Sequence, residues 1–207
     1  MNSDPVAHTL ITNIGELVTA PPGRGPVRGD AMMHVDRIHD ACIAVDVSGI
    51  IIAVGSRTDV AASVDISASQ QIDVDGALVV PGLVDCHAHP VFGGDRAVEF
   101  ELRNLGASYE EIHAAGGGIR STVEHTRAAI DTGIIDGQIA RHLSWMLQSG
   151  ATTVEAKSGY ALTREGEIAS LEAAARVAQS MGINVVGTVL AAHTIPCLLY
   201  TSDAADD

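Results

Sequence analysis

The chain lacks any run approaching the roughly 18 uninterrupted apolar residues of a membrane span, and its start, Met1-Asn-Ser-Asp-Pro5, lacks the basic and apolar regions of a secretory leader. Basic side chains are scarce: 12 Lys and Arg stand against 26 Asp and Glu, a formal charge of −14. Without a Lys/Arg cluster, nucleic acid and anionic membrane are poor partners for it. Cysteine is sparse, odd in number and scattered (Cys42, Cys86, Cys197), which fits reduced thiols in a cytoplasm rather than a disulfide framework. What is present is ordinary for a globular protein. The chain has 207 residues, 46% of them hydrophobic, with a mean hydropathy of +0.22. That is long enough to bury a core in one large domain or two small ones.

Residues 9–80 read as β-rich. Thr9–Asn13, Ala41–Val45, Ile50–Val54 and Gln71–Val74 are short β-branched runs divided by Gly49, Gly55 and Gly76, with a Pro/Gly-rich loop over 21–30. The pattern predicts a small antiparallel sheet or sandwich. After residue 80 the rhythm becomes strand, helix, strand, helix. Leu78–Cys86 reads as one strand, Thr152–Ala156 as the next and Ile183–Ala191 as a third. Helical patterns run from Ser108, where Ser108 and Glu111 have capping-box spacing, over about 119–130 and 135–149, and from Thr163 or Arg164 to Met181. Near-continuous apolar strands alternating with helices predict a parallel sheet covered by helices, an α/β fold.

The run Val79-Val-Pro-Gly-Leu-Val-Asp-Cys-His-Ala-His89 ends an apolar strand in two histidines one residue apart. Alternation along a strand points His87 and His89 to one side, with Asp85 on the same face, and turns Cys86 away as a packing residue. Two imidazoles side by side are half of a transition-metal site that zinc, iron or nickel would accept. The plain alternative is a pair of histidines decorating a surface turn. In parallel α/β folds the chemistry gathers at the C-terminal ends of strands. Here three successive strands end in His87 and His89, in Glu155-Ala-Lys-Ser-Gly-Tyr160, and in Ala191-Ala-His193.

The segment Pro81–His89 resembles the first-strand signature of the amidohydrolase superfamily, metal-dependent hydrolases built on a (β/α)₈ barrel. Val91–Arg103 (with Phe92-Gly-Gly-Asp-Arg96), Gly106–Ile112, Ala115–Ile119 and Thr153–Tyr160 narrow the similarity to the imidazolonepropionase family of histidine degradation, over about residues 10–196. The resemblance implies a cytoplasmic hydrolase that opens the ring of 4-imidazolone-5-propanoate to N-formimino-L-glutamate. It also implies one Zn or Fe ion with His87 and His89 among its ligands. Arg96, Tyr160 and His193 would be substrate contacts, Arg96 as a fixed guanidinium clamping the propanoate. The partners implied are a small-molecule substrate and, for the full-length enzyme, a second copy in a homodimer.

Each assignment has a plainer reading. Arg96 could pair with Glu99 or Glu101, Tyr160 could pack a loop, and His193 could be a core histidine. A carboxylated lysine bridges two metals in some amidohydrolases, but an ion pair with Glu155 or a neighbouring acid is the favoured role for Lys157. Gly116-Gly-Gly118 reads as a turn over the pocket mouth rather than an anion cradle.

A barrel of this type takes about 250 residues, more than follow residue 80. The expected organisation is therefore 1–80 as part of a small β-sandwich-type domain, 81–196 as about three βα units of an incomplete TIM-like barrel, and 197–207 as a foreign or disordered tail. The remaining metal ligands and the acid/base residues are expected outside this chain, leaving it inactive alone. Competing readings are another amidohydrolase, such as a deaminase or hydantoinase-type enzyme, and a non-catalytic metal-binding module.

Overall fold

The computed structural model describes residues 5–19 and 25–190, which divide into two compact units meeting at Pro81/Gly82. The first unit is built on β1 (Thr9–Thr19), β2 (Asp36–Val45), β3 (Ile51–Ser56), β4 (Gln70–Asp73) and β5 (Leu78–Val79), with one α-helix, α1 (Arg57–Ser63), and a short 3-10 helix over Gly29–Met33. These strands form one sheet in the order β3-β2-β1-β4, with β5 also on β1. The β1–β2 and β2–β3 pairs are antiparallel, whereas β4 and β5 run parallel to β1. The antiparallel sheet or sandwich expected from the sequence is thus a single mixed sheet among the described residues. The short runs at 70–73 and 78–79 return to β1 in its own direction, and periodicity carries no information about direction.

A bulge in β1 between Ile11 and Ile14 decides which side chains go where. In a regular strand Leu10 and Ile14 would share a face. With the extra residue, Asn13 taking a φ of +56°, Leu10 packs with Cys42, Ala44 and Val60. Ile14 packs instead with Leu17, Ala41 and Ile43.

The second unit carries β6 (Leu83–Ala88), β7 (Ala151–Lys157) and β8 (Asn184–Thr188), a parallel sheet in chain order. Between β6 and β7 lie α2 (Ala97–Asn104), α3 (Tyr109–Ala114), α4 (Ile119–Asp131) and α5 (Ile135–Gln148), and α6 (Arg164–Met181) joins β7 to β8. The expected capping box opens α3: the Glu111 N–H donates to Ser108 Oγ at 3.2 Å, and Glu111 Oε2 accepts the Ser108 N–H at 2.8 Å. Helix α6 starts where Thr163 Oγ1 accepts the Gly166 N–H and stops at Gly182, which adopts the left-handed conformation. The core is one-sided. Val154 and Ala156 of β7 meet Ile139 and Leu143 of α5 and Ala173, Ala174, Val177 and Ala178 of α6. On the other face Thr153, Glu155 and Lys157 alternate with them, and Val84 and Val186 are 64% and 54% exposed.

Three expectations change here. The strand read as Leu78–Cys86 is two strands, β5 and β6, in different units, because Pro81-Gly82 breaks it. Cys86 is exposed rather than packed. Finally, α1 and α2 replace stretches without a helical reading. One is only seven residues long, and the other buries none of its residues.

Candidate metal centre

His87 and His89 lie at the C-terminal end of β6, their ring centroids 6.2 Å apart and the planes inclined at 72°. That separation lets two imidazole nitrogens close on one ion at about 2.0–2.1 Å each. The strand is not regular where it carries them. Between Asp85 and Ala88 it takes three steps against two on β7. Asp85, expected on the histidine face, turns its carboxylate back to accept the His87 backbone N–H at 3.1 Å. Bulges beside sites re-aim side chains in this way.

Behind the pair, the end of β7 supplies a charged row. Lys157 Nζ donates to Glu155 Oε1 at 2.7 Å, the ion pair expected from the sequence, and Thr188 Oγ1 of β8 donates to the same oxygen at 2.8 Å. These two donors, with a smaller contribution from the nearby His87, hold the Glu155 carboxyl below its ordinary value of 4.5. A carboxyl whose folded pKa is depressed favours the fold above its unfolded pKa and loses that contribution as pH falls through the folded value. Thermal unfolding followed from neutral pH into the range below 4.5 is therefore expected to fall less steeply with acid in Glu155→Gln than in the parent. Equal slopes would exclude a part for this carboxyl.

The loops leaving β6 and β7 are fixed by side chains from the helices. His142 of α5 donates through Nδ1 to the Pro90 carbonyl at 2.9 Å and stacks on Phe92, with centroids 4.2 Å apart. The wholly buried Thr126 of α4 accepts the Gly93 N–H at 2.9 Å. A Cβ on Gly93 would stand 2.5 Å from the His125 carbonyl oxygen and 2.6 Å from its carbon. Gly93→Ala must move backbone, so it is expected to cost about 1–3 kcal/mol by denaturant titration. A loss under 1 kcal/mol would show that the loop yields freely.

After β7, Tyr160 stands edge-on to His89 at 5.1 Å and to Phe92 at 6.5 Å between ring centroids. The carboxylate of Glu167, only 4% exposed, accepts the backbone N–H groups of Gly159, Ala161 (3.0 Å) and Leu162 (2.6 Å). Arg127 Nε of α4 donates to the Ala161 carbonyl at 2.6 Å.

Arg96 begins α2 with Glu99 bound to its guanidinium through Nε and Nη2. The other oxygen of Glu99 accepts the Gly118 N–H at 2.8 Å. Glu99 raises the Arg96 pKa, with smaller contributions from Tyr109 and Tyr160. The carboxylate seated at Arg96 is thus the protein's own, as the plainer reading had it. The glycine run ends against that same carboxylate.

His193 lies outside the described residues. Among the described residues no group of three or more His, Cys, Asp and Glu side chains could hold a metal, and His87 and His89 stand there as a pair. Sequence reasoning missed His142, Thr126 and Glu167. Glu167 falls one residue beyond the capping-box position counted from Thr163, which is the one signal it leaves.

No family model matches the chain. Curated relatives do. An imidazolonepropionase of Herpetosiphon aurantiacus is 47% identical over 192 residues, which cover 93% of this chain and 43% of that protein. One of Chloroflexus aggregans is 46% identical over 90% of this chain and 43% of its own length. A probable imidazolonepropionase of Dictyostelium discoideum is 37% identical, with 95% and 46% covered. The chain spans under half the length of these relatives. Among solved structures, the E. coli guanine deaminase superposes with a TM-score of 0.58 at 16% identity over 86% of this chain and 35% of its own. That is a likeness of fold.

Proposed function

We propose that this chain is the amino-terminal part of an imidazolonepropionase and contributes half of a metal site and part of the substrate pocket to the hydrolysis of 4-imidazolone-5-propanoate. The observation that carries the proposal is the coincidence of two facts. Sequence similarity to imidazolonepropionases runs across nine-tenths of the chain. Within it, His87 and His89 stand together at a strand end, with Tyr160 against His89.

Paired neutral imidazoles are borderline-soft donors suited to Zn or Fe, so the residues present fit such an ion, with its remaining ligands to come from elsewhere. When bound there, a divalent ion supplies Lewis acidity, lowering the pKa of water and polarising the amide carbonyl. The chain's own residues do the rest of what this portion can do. His87 and His89 hold the ion, with the Glu155 carboxylate beside His87 adding negative charge. Tyr160 presents a phenol next to His89, able to hydrogen-bond the imidazolone ring. Arg96 is the proposed partner of the substrate's propanoate, which would take over from Glu99.

In fold terms, β6–β8 with their helices would be the opening βα units of a barrel. The five-stranded sheet would be part of a small β domain, and His193 a further substrate contact. A deaminase reading has only the fold likeness at 16% identity behind it, whereas the sequence similarity falls on imidazolonepropionases.

The test is a chimera in which residues 10–190 replace the corresponding segment of the Herpetosiphon relative. Turnover of 4-imidazolone-5-propanoate is expected. A folded chimera that loads metal yet leaves this substrate intact would overturn the proposal.

A further inference from the structure

The Glu167 carboxylate is buried, belongs to α6, and is not one of the groups expected to meet metal or substrate. A carboxylate in that position needs donors, and it has three, all of them backbone N–H groups from one turn: Gly159, Ala161 and Leu162. The turn is not a relaxed one, since Leu162 sits at a φ of +55°, unfavourable for a branched side chain. Tyr160 lies between the first and second of these donors, and its ring is the one held edge-on to His89. Leu162 keeps its conformation because its N–H and that of Ala161 are both held by the charged Glu167 acceptor.

We propose that Glu167 is a positioning residue for the site: by binding these three backbone N–H groups it sets the turn that holds the Tyr160 ring against His89. The role rests on the functional reading given above, and the contact it explains is the edge-on packing of Tyr160 on His89. Glu167→Gln keeps the shape but turns an amide NH₂ towards donors, so at least one of the three loses its acceptor.

The experiment uses the 207-residue chain carrying 3-fluorotyrosine at its three tyrosines, with Tyr160→Phe to assign the Tyr160 fluorine signal. In Glu167→Gln that signal is expected to move to its position in the denatured chain. Hydrogen exchange at Gly159, Ala161 and Leu162 should accelerate roughly tenfold or more. Thr163→Ala is the control for a merely structural role. It removes the cap of the same helix, where Thr163 Oγ1 accepts the Gly166 N–H at 3.1 Å, and should lower stability while leaving the fluorine signal in place. An unmoved signal in Glu167→Gln overturns the proposal. So does an equal shift in Thr163→Ala, or a parent signal that already matches the denatured chain. Failure of the chimera to turn over imidazolone propanoate, with the fluorine shifts as expected, would overturn the functional reading alone.

Discussion

Replacing either His87 or His89 with alanine is expected to abolish turnover in the chimera and to weaken Zn²⁺ binding by the isolated chain on the order of 10- to 100-fold. Changes in a metal's surrounding shell alone reach that size. The argument is one of ligand count. Among the described residues these imidazoles have no third His, Cys, Asp or Glu grouped with them, so loss of either ring removes one of the two donors grouped there. The two rings stand edge-on at 6.2 Å on a bulged stretch of β6, and Tyr160 packs edge-on against His89. Titration calorimetry with Zn²⁺ reads the affinity and a coupled assay reads the turnover. An alanine variant that binds as tightly as the parent would remove the pair from the metal site.

The isolated 207-residue chain, supplied with Zn²⁺ or Fe²⁺, is expected to show no hydrolysis of 4-imidazolone-5-propanoate above the uncatalysed rate. A hydrolytic zinc site normally has three protein ligands and an open position, and the described residues group two. On the face of the β6–β8 sheet opposite the helices, Val84 and Val186 are also largely in solvent, while Glu155 and Lys157 are part-buried. Electrostatic stabilisation of a transition state depends on excluding water, which the exposed valines of this face do not do. Apolar residues left open there also invite self-association, which light scattering would register. Measurable turnover by a monodisperse chain would show that two ligands suffice.

Much of this arrangement was legible in the sequence. Helices α4, α5 and α6 announce themselves by periodicity and α3 by its cap, because their faces and ends are determined within a few residues of chain. The pairing of Lys157 with Glu155 was legible for the same reason, two residues apart on one strand face. What could not be read depends on contacts distant in sequence. The direction in which β4 and β5 meet β1 is one case, and the bulge that takes Asp85 away from the histidines is another. The helix side chains that pin the strand-end loops, His142 on Pro90 and Thr126 on Gly93, bridge 52 and 33 residues, and no local pattern marks them.

The carboxylate already seated on Arg96 has a thermodynamic consequence. Glu99 neutralises that guanidinium and takes up the Gly118 N–H with its other oxygen. An acid arriving from solution meets a guanidinium whose charge Glu99 already balances, whether it displaces Glu99 or joins it at the remaining N–H donors. The charge term then nearly cancels, and with it the steep weakening by salt that marks capture by a bare cation. Discrimination among acids passes to fit, to how far each carboxylate stands from the group that follows it. At this position the chain would measure length rather than charge.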